Sequence, residues 1–527
     1  MTAFDVIKLY KKSYGAKNVP VMTVKPSGRP PKSRRVYNLL SCGTDNSFGV
    51  HNSSLSNTVR GLVERVYLVQ QDGVFTPPPK PQPDLFSARM QEFKSLLVKA
   101  CTFTGGFHQI PKQEFVDCYR GRRRTLYQQA ADSLDVRPIS RRDAELKTFV
   151  KAEKINFTAK QDPAPRVIQP RDPRYNVEVG RYLKKVEHTI YDGIAKVMTR
   201  KSSLGWNVTV NKGMNAKETA ALIVGKFSKY RRPVAIGLDA SRFDQHVSST
   251  ALRWEHSVYS DLFKDKYLDK LLGWQIHNIG RAYCADGKVK YEVNGCRMSG
   301  DMNTALGNCV LMCGMVYSYM QSKGIKYDLI NNGDDCVLIF EKDHERKLDD
   351  LSSWFHDMGF TMKVEDPVYT IEEIEFCQTQ PVFDGHHWVM VRNPLVALAK
   401  DLITVKNVSD YKSWNRARNS IGLCGLALAG NIPIMGSFYK LLTRNAGDKI
   451  FNDEMSSGMQ FMSLRMEQQG DVHWKARVSF YNAFKIMPEM QIEIEKMYGN
   501  LSPQWQSPVP VDKEFTNSLS QKYITND

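Results

Sequence analysis

The sequence predicts a mixed α+β fold, on three observations. Apolar runs of strand length at 234–238, 327–330 and 336–340 sit among longer helical patterns. From Thr148 to Asp335, strand and helix patterns mix without the regular alternation of a doubly wound sheet. After Asn393 the chain reads helical, punctuated by Gly422, Gly425, Gly430, Pro433 and Gly436. At 527 residues there is room for a large core and more than one subdomain.

In chain order, residues 1–36 mix Lys, Arg, Pro and Gly and read as a flexible basic lead-in. Residues 37–70 are better patterned, with 62–69 as their apolar centre. The run 77–83, with five prolines, reads as a polyproline-type spacer and a subdomain boundary. Residues 84–135 read mainly helical and carry a basic block at Arg120, Arg122, Arg123 and Arg124. Tyr498, Trp505 and the Pro-rich 507–510 have no place that the sequence assigns.

Composition narrows the function. Apolar content of 42% and charged content of 24% are ordinary for a globular chain, but the formal charge of +17 is not. Such an excess of Lys and Arg suits a polyanionic partner, nucleic acid or an acidic membrane surface. The ten cysteines form no CxxC pair, which argues against a zinc site, and Cys309 and Cys313 read as helix core. A disulfide framework is not expected at this size, so a reducing compartment fits better. Residues 1–11 lack a signal-peptide apolar region, and no stretch reaches the roughly 18 apolar residues of a membrane span. Work at a membrane would then need another component.

Three segments carry chemistry. Asp239 ends the strand-like run 234–238, with Asp244 five residues on, after the chain has begun to turn. Taken alone, this pair could equally cap the helix that follows. Asn332, Gly333, Asp334 and Asp335 lie between two apolar runs, the pattern of a hairpin that lifts two carboxylates to a loop tip. Adjacent aspartates repel unless a cation neutralises them. With Asp239 alongside, they could hold two Mg²⁺ or Mn²⁺ ions for in-line phosphoryl displacement. Ser299 and Gly300 open a loop that runs into an apolar helix, where Thr304 and Asn308, four apart, share a face suited to reading a ribose hydroxyl. A basic strand–loop–strand with Lys151, Lys160 and Arg166 could cover a triphosphate. Arg166, between Pro165 and an apolar pair, is the cation least expected to be a free surface charge.

Together these segments resemble the RNA-dependent RNA polymerases of positive-strand RNA viruses, and most closely the tombusvirus-like plant virus replicases of carmovirus and umbravirus type. Residues 239–246 resemble the first palm motif, 299–308 the second, and 332–335 the third. Residues 151–168 resemble the basic fingers motif, and Phe376, Cys377 and Gln378 the primer-grip hairpin. Residues 47–52 and 60–65 also have the family's look, and the likeness spans roughly 37–440.

The resemblance implies a right-hand fold of fingers, palm and mainly helical thumb. Its divisions fall at 1–83 (basic extension joining the fingers), 84–233 (fingers, with 149–168 on the triphosphate side), 234–262 and 291–392 (palm, with 263–290 a fingers insertion), and 393–527 (thumb and tail). It implies that Asp239 and Asp334 bind two Mg²⁺ ions, with Asp335 supporting, and that Mn²⁺ substitutes. Asp244, Thr304 and Asn308 would recognise the 2′-hydroxyl, with Ser299 and Gly300 forming the template-side loop. Arg166, Lys151 and Lys160 would contact the triphosphate, and Lys363 would be the general acid. The implied partners are single-stranded template, nascent RNA, ribonucleoside triphosphates and a viral auxiliary protein that carries the membrane anchor. That places the chain in host cytoplasm, at membrane-associated replication complexes reached through a partner or an upstream fusion. Two other readings stay open: a reverse transcriptase or DNA polymerase, and a non-catalytic basic RNA-binding or movement protein.

Overall fold

A computed structural model of the chain describes residues 22–40, 46–71, 74–103, 105–199, 208–451, 457–467 and 470–505. Two sheets organise it, as the mixed α+β reading expects. The first runs Met22–Pro26, Gly287–Asn294, His277–Cys284, Leu146–Val150, Val167–Ile168. Its neighbours are antiparallel except His277–Cys284 beside Leu146–Val150, which is parallel. The second runs Tyr327–Asn332, Asp335–Glu341, Pro233–Ala240, Met362–Val364 and is antiparallel throughout.

The second sheet is covered on both faces, which is why its strands read as unbroken apolar runs. Val234, Ile236, Leu238 and Ala240 point into one core, shared with helices Pro83–Thr102, Glu187–Met198, Ser249–Phe263 and Thr304–Lys323. Ala235, on the opposite face with Val337 and Ile339, packs into a second core with helix Ala216–Phe227 and the C-terminal helices Tyr411–Ala429 and Met435–Thr443. Asp239 and Asp335 continue this second face at the strand ends, where apolar cover gives out.

Local chemistry sets the helix boundaries. Asn215 and Glu218 form a reciprocal capping box on Ala216–Phe227. Pro83 occupies the first turn of Pro83–Thr102, so the proline run ends by starting a helix. Two features of the sequence reading are corrected. The basic lead-in is not all loose: Met22–Pro26 pairs along Gly287–Asn294, and Val36 is buried, while residues 1–21 lie outside the described residues. In the helical C-terminal region Gly422 and Gly425 are not breaks but interior positions of Tyr411–Ala429; a Cβ at Gly425 would sit 2.2 Å from the Tyr439 ring. Trp505 packs edge-on against Trp414 and Tyr411, and Tyr498 against Phe438, whereas 507–510 lie outside the described residues.

Candidate active site

The Tyr327–Asn332 and Asp335–Glu341 strands are joined by Gly333 and Asp334, with Asn332 paired to Asp335 across the turn. Gly333 takes φ of 88°, a left-handed value natural to glycine at the first central position of a tight hairpin. Buried Asn331 clamps the turn: its Nδ2 donates to the Gly333 carbonyl (2.6 Å) and its Oδ1 accepts from the Gly333 amide (3.1 Å). The expected pair of carboxylates at the tip is thus corrected. Only Asp334 sits there, because the turn is centred on Gly-Asp rather than Asn-Gly. Asp335 is the first strand residue.

That shift puts Asp335 directly opposite Asp239, and Asp239 in turn opposite Lys363 on the Met362–Val364 strand. Directly paired residues share a face, so the three side chains stand in one row. Glu365 folds over Gly237 beside them; a Cβ on Gly237 would lie 2.0 Å from Glu365 Oε2. The crowding shows in the protonation equilibria. Burial, then the charges of Asp334 and Asp239, push the Asp335 carboxyl up to about 6. Asp334 is also raised, by burial and then Asp239, with Lys212 and Arg166 pulling the other way. Glu365 is raised by burial and by Glu375.

Asp244 follows in the short helix Phe243–His246. Its Oδ1 accepts from Asn308 Nδ2 (2.8 Å), and Asn308 Oδ1 accepts from Arg297 Nε (3.1 Å). Arg297 is fully buried and ion-paired with equally buried Glu255, which also accepts from Asn303 and Tyr259. Burial raises the Asp244 pKa against the opposing Asn308 hydrogen bond. Gly307 is required here, since a Cβ would fall 2.2 Å from Glu255 Oε1. Thr304, on the same helix, donates its hydroxyl to the Met298 carbonyl (2.7 Å), leaving only its acceptor lone pairs for a ligand.

The preceding loop is fixed to the basic segment. Gly300 bridges to Pro170, and a Cβ there would meet the Pro170 Cα at 2.5 Å. Ser299 Oγ donates to the Val167 carbonyl (3.4 Å), and Asp301 is locked in a buried ion pair with Arg171. The basic segment is the expected strand–loop–strand, with Val150 paired to Val167 and Lys151 N–H donating to the Arg166 carbonyl. Arg166 is more exposed than expected, its side chain 57% accessible and 3.4 Å from Glu153, because it reaches into an open cavity. Lys151 also pairs with Glu153 (3.2 Å).

That cavity, about 210 Å³, is lined by Asp239, Asp244, Asp334, Ser299 and Arg166 together with Arg65, Arg242 and Arg297. Five of the sequence-derived residues therefore meet at one place. Asn308 stands behind Asp244, and Asp335 beside Asp239. Lys151, Lys160, Thr304, Gly300 and Lys363 are not among the lining residues, and Lys160 is exposed. Arg65 and Arg242 were missed as individual residues. Arg65 sits in a π-helical turn, Val63–Tyr67, and its pKa is lowered to about 10 by burial and then by Arg242 and Arg166. Arg242 has φ 50°, a left-handed value for a non-glycine residue, and donates to the Glu64 carbonyl. It also lines a larger cavity of about 660 Å³ bounded by Pro77, Pro79 and Lys80. Arg65, Arg166 and Arg242 repel one another across this cavity, a repulsion that a bound anion would relieve.

Among the described residues, no three His, Cys, Asp or Glu side chains converge closely enough to enclose a metal ion. The donor chemistry nonetheless suits a hard divalent cation: carboxylate oxygens only, with Asp239 raising both Asp334 and Asp335.

An antiparallel sheet thus carries carboxylates at its strand ends beside a cavity lined by arginines, a donor set suited to phosphoryl transfer. Residues 22–506 match the family model described as viral RNA dependent RNA polymerase, and the chain belongs to that family. It is 46% identical over 520 residues to the RNA-directed RNA polymerase of turnip crinkle virus, covering 96% of this chain and 65% of that protein. Against the polymerase of melon necrotic spot virus it is 46% identical over 500 residues, covering 92% and 61%. Against that of groundnut rosette virus it is 43% identical over 491 residues, covering 92% and 56%. The chain thus spans less than two thirds of the length of these relatives. No helix among the described residues is long and apolar enough to cross a membrane.

Proposed function

We propose that the chain is an RNA-directed RNA polymerase that replicates a positive-strand plant virus genome from ribonucleoside triphosphates. The carrying observation is that Asp239 and Asp334 line the same cavity as Arg65, Arg166 and Arg242, so carboxylates and guanidinium groups face each other across a space for a triphosphate. The Pro233–Ala240 sheet is the palm, the Met22–Pro26 sheet belongs to the fingers, and the helices after Asn393 are the thumb.

The arginines bind and orient the triphosphate, with Lys151 and Lys160 on its approach. Asp244, held by Asn308, accepts from the ribose 2′-hydroxyl, and Arg297 fixes the amide of Asn308 in that orientation. Ser299 and Gly300 form the template-side loop. Asp239 and Asp334, with Asp335 supporting, would hold two Mg²⁺ ions, or Mn²⁺ in their place, which would supply positive charge to the transferring phosphoryl group. Lys363 is the proton donor to the departing pyrophosphate. An auxiliary viral protein, joined to the chain or beside it, brings it to host membranes.

The test is RNA synthesis on a short single-stranded RNA with four ribonucleotides and Mg²⁺, beside Asp334→Ala. Incorporation by the parent, none by the variant and unchanged RNA binding by both is the expected result. Equal activity in both would refute the metal site, and a preference for deoxynucleotides would favour a reverse transcriptase.

A further inference from the structure

One lysine next to the catalytic turn does not line the cavity described above. Val210 forms a parallel bridge to Asn331; the Asn211 amide donates to the Asn331 carbonyl (3.0 Å), and the Asn331 amide to the Thr209 carbonyl (2.9 Å). This short ladder ties residues 209–211 to the strand that ends in Asn332 and Gly333, and Lys212 is the next residue out. The turn that follows is closed by Met214 N–H donating to the Asn211 carbonyl and by Gly213 at φ 86°. On its far side Arg465 donates to the Gly213 carbonyl (3.1 Å), and Asn215 Nδ2 to the Leu464 carbonyl (2.9 Å). Lys212 is therefore held between the catalytic hairpin and the C-terminal helical region by backbone bonds on both sides.

Its surroundings point to a ligand. Lys212 is half-buried, and among the described residues it has no hydrogen bond or ion pair. It does not line the arginine-rich cavity, yet its charge acts on Asp334 and on the thiols of Cys309 and Cys377. Cys377 and Gln378 form a tight turn, both with positive φ, closed by Phe376 and Thr379. Asn332 Nδ2 donates to Cys377 Sγ (3.4 Å), so this turn abuts the catalytic hairpin as well. Arg166 thus reaches Asp334 from within the cavity, whereas Lys212 acts on it from outside that cavity. A half-exposed lysine tied by backbone bonds to the catalytic hairpin, and outside the arginine-rich cavity, is placed to meet an anionic ligand there.

We propose that Lys212 binds a backbone phosphate of the growing RNA strand close to its 3′ end, on the side of Asp334 away from the incoming triphosphate. This rests on the polymerase reading. It makes Lys212 a product-strand binding residue rather than a nucleotide ligand, so its loss weakens the hold on primed RNA and leaves the incoming nucleotide alone.

The experiment uses the full chain and a hairpin RNA whose recessed 3′ end serves as primer, comparing the parent with Lys212→Ala and Lys212→Arg. Lys212→Ala is expected to weaken hairpin binding about 5- to 10-fold and to reduce the slope of log affinity against log salt by about 1, while Lys212→Arg keeps both. The KM for the next nucleotide stays at the parent value. A neutral methylphosphonate walked along the primer weakens binding of the parent at one linkage near the 3′ end, and Lys212→Ala no longer senses that position. Parent-like binding and salt slope in Lys212→Ala, or a raised nucleotide KM in place of weaker RNA binding, overturns the assignment of Lys212. A parent that does not extend the primer overturns the polymerase reading instead.

Discussion

Asp335 stands directly across from Asp239, in a row of the sheet that Asn332 and Lys363 complete on either side. Two carboxylates in adjacent register are unfavourable in a folded protein without a counter-charge. Lys363, paired with Asp239 on its other side, offsets one of the two charges, and the remaining demand falls to bound cations.

The first prediction follows from that demand. Asp335 is pushed up to about 6 by burial and by its neighbours. Its folded-state proton affinity exceeds that of the unfolded chain, so without metal its contribution to stability grows as pH falls through about 6 and is complete below the ordinary carboxylate range. In chelator, thermal melts of the parent compared with Asp335→Asn should differ most above pH 6 and converge in acid. With Mg²⁺ the dependence on this group reverses: ions stabilise the parent above about 6 and lose their grip below it, since protons compete for the carboxylate. Identical Mg²⁺ stabilisation in acid and at neutral pH would refute it.

A second prediction concerns sugar selection. Asn308 satisfies Asp244 on one side and Arg297 on the other. Asn308→Ala leaves both charged groups short of a partner, and hydrogen bonds to charged groups are worth about 1.5–3 kcal/mol. The ratio of kcat/KM for ribonucleotides over 2′-deoxynucleotides should then fall about 10- to 100-fold. Competition between the two nucleotide types in single-turnover extension measures it; an unchanged ratio would remove Asn308 from sugar recognition.

Much of this arrangement was legible in the sequence because it is local. Asp239 ends an apolar run, Asp334 lies between two of them, and Asn308 follows Thr304 by one helical turn. What was not legible depends on pairing between distant segments. Arg65 reaches the cavity from a π-helical turn, which re-aims a side chain that 3.6-residue periodicity would place elsewhere. Arg242 does so from a left-handed backbone conformation that no composition rule assigns to arginine. Met22–Pro26 contains Lys25 and ends in proline, so alone it looks like loop; it becomes a strand only against Gly287–Asn294. The position of Asp335 turned on a one-residue shift in the centre of a hairpin turn, which propensity cannot fix.

Behind Asp244 and Asn308, the buried Arg297 and Glu255 pair supplies a third prediction. Both side chains are inaccessible, so removing one leaves a buried, uncompensated charge. Glu255→Ala is expected to destabilise the chain by about 3–5 kcal/mol, read by chemical denaturation. Gly307→Ala should act in the same direction by pushing a methyl group against Glu255 Oε1 and the Arg297 guanidinium. Near-parent stability in both would mean the pair is replaceable by solvent.

The last prediction tests whether the arginines form a triphosphate cradle. Arg65, Arg166 and Arg242 line one cavity, and burial followed by the charges of the other two brings Arg65 down to about 10. Arg65 also keeps a buried Nε without a hydrogen-bond partner among the described residues. A polyphosphate anion in the cavity would relieve the repulsion among the three guanidinium groups. Inorganic triphosphate alone, without template or metal, should therefore raise the melting temperature of the parent, and Arg65→Gln should lose most of that rise. The same variant should raise KM for all four nucleotides alike, by about tenfold, because the lost charge-assisted bond reads phosphate and not base. Since Arg65→Gln also removes two like-charge repulsions, its ligand-free form should melt no lower than the parent. A lower melting temperature with unchanged triphosphate stabilisation would instead make Arg65 a structural cation that holds the Ala164 carbonyl.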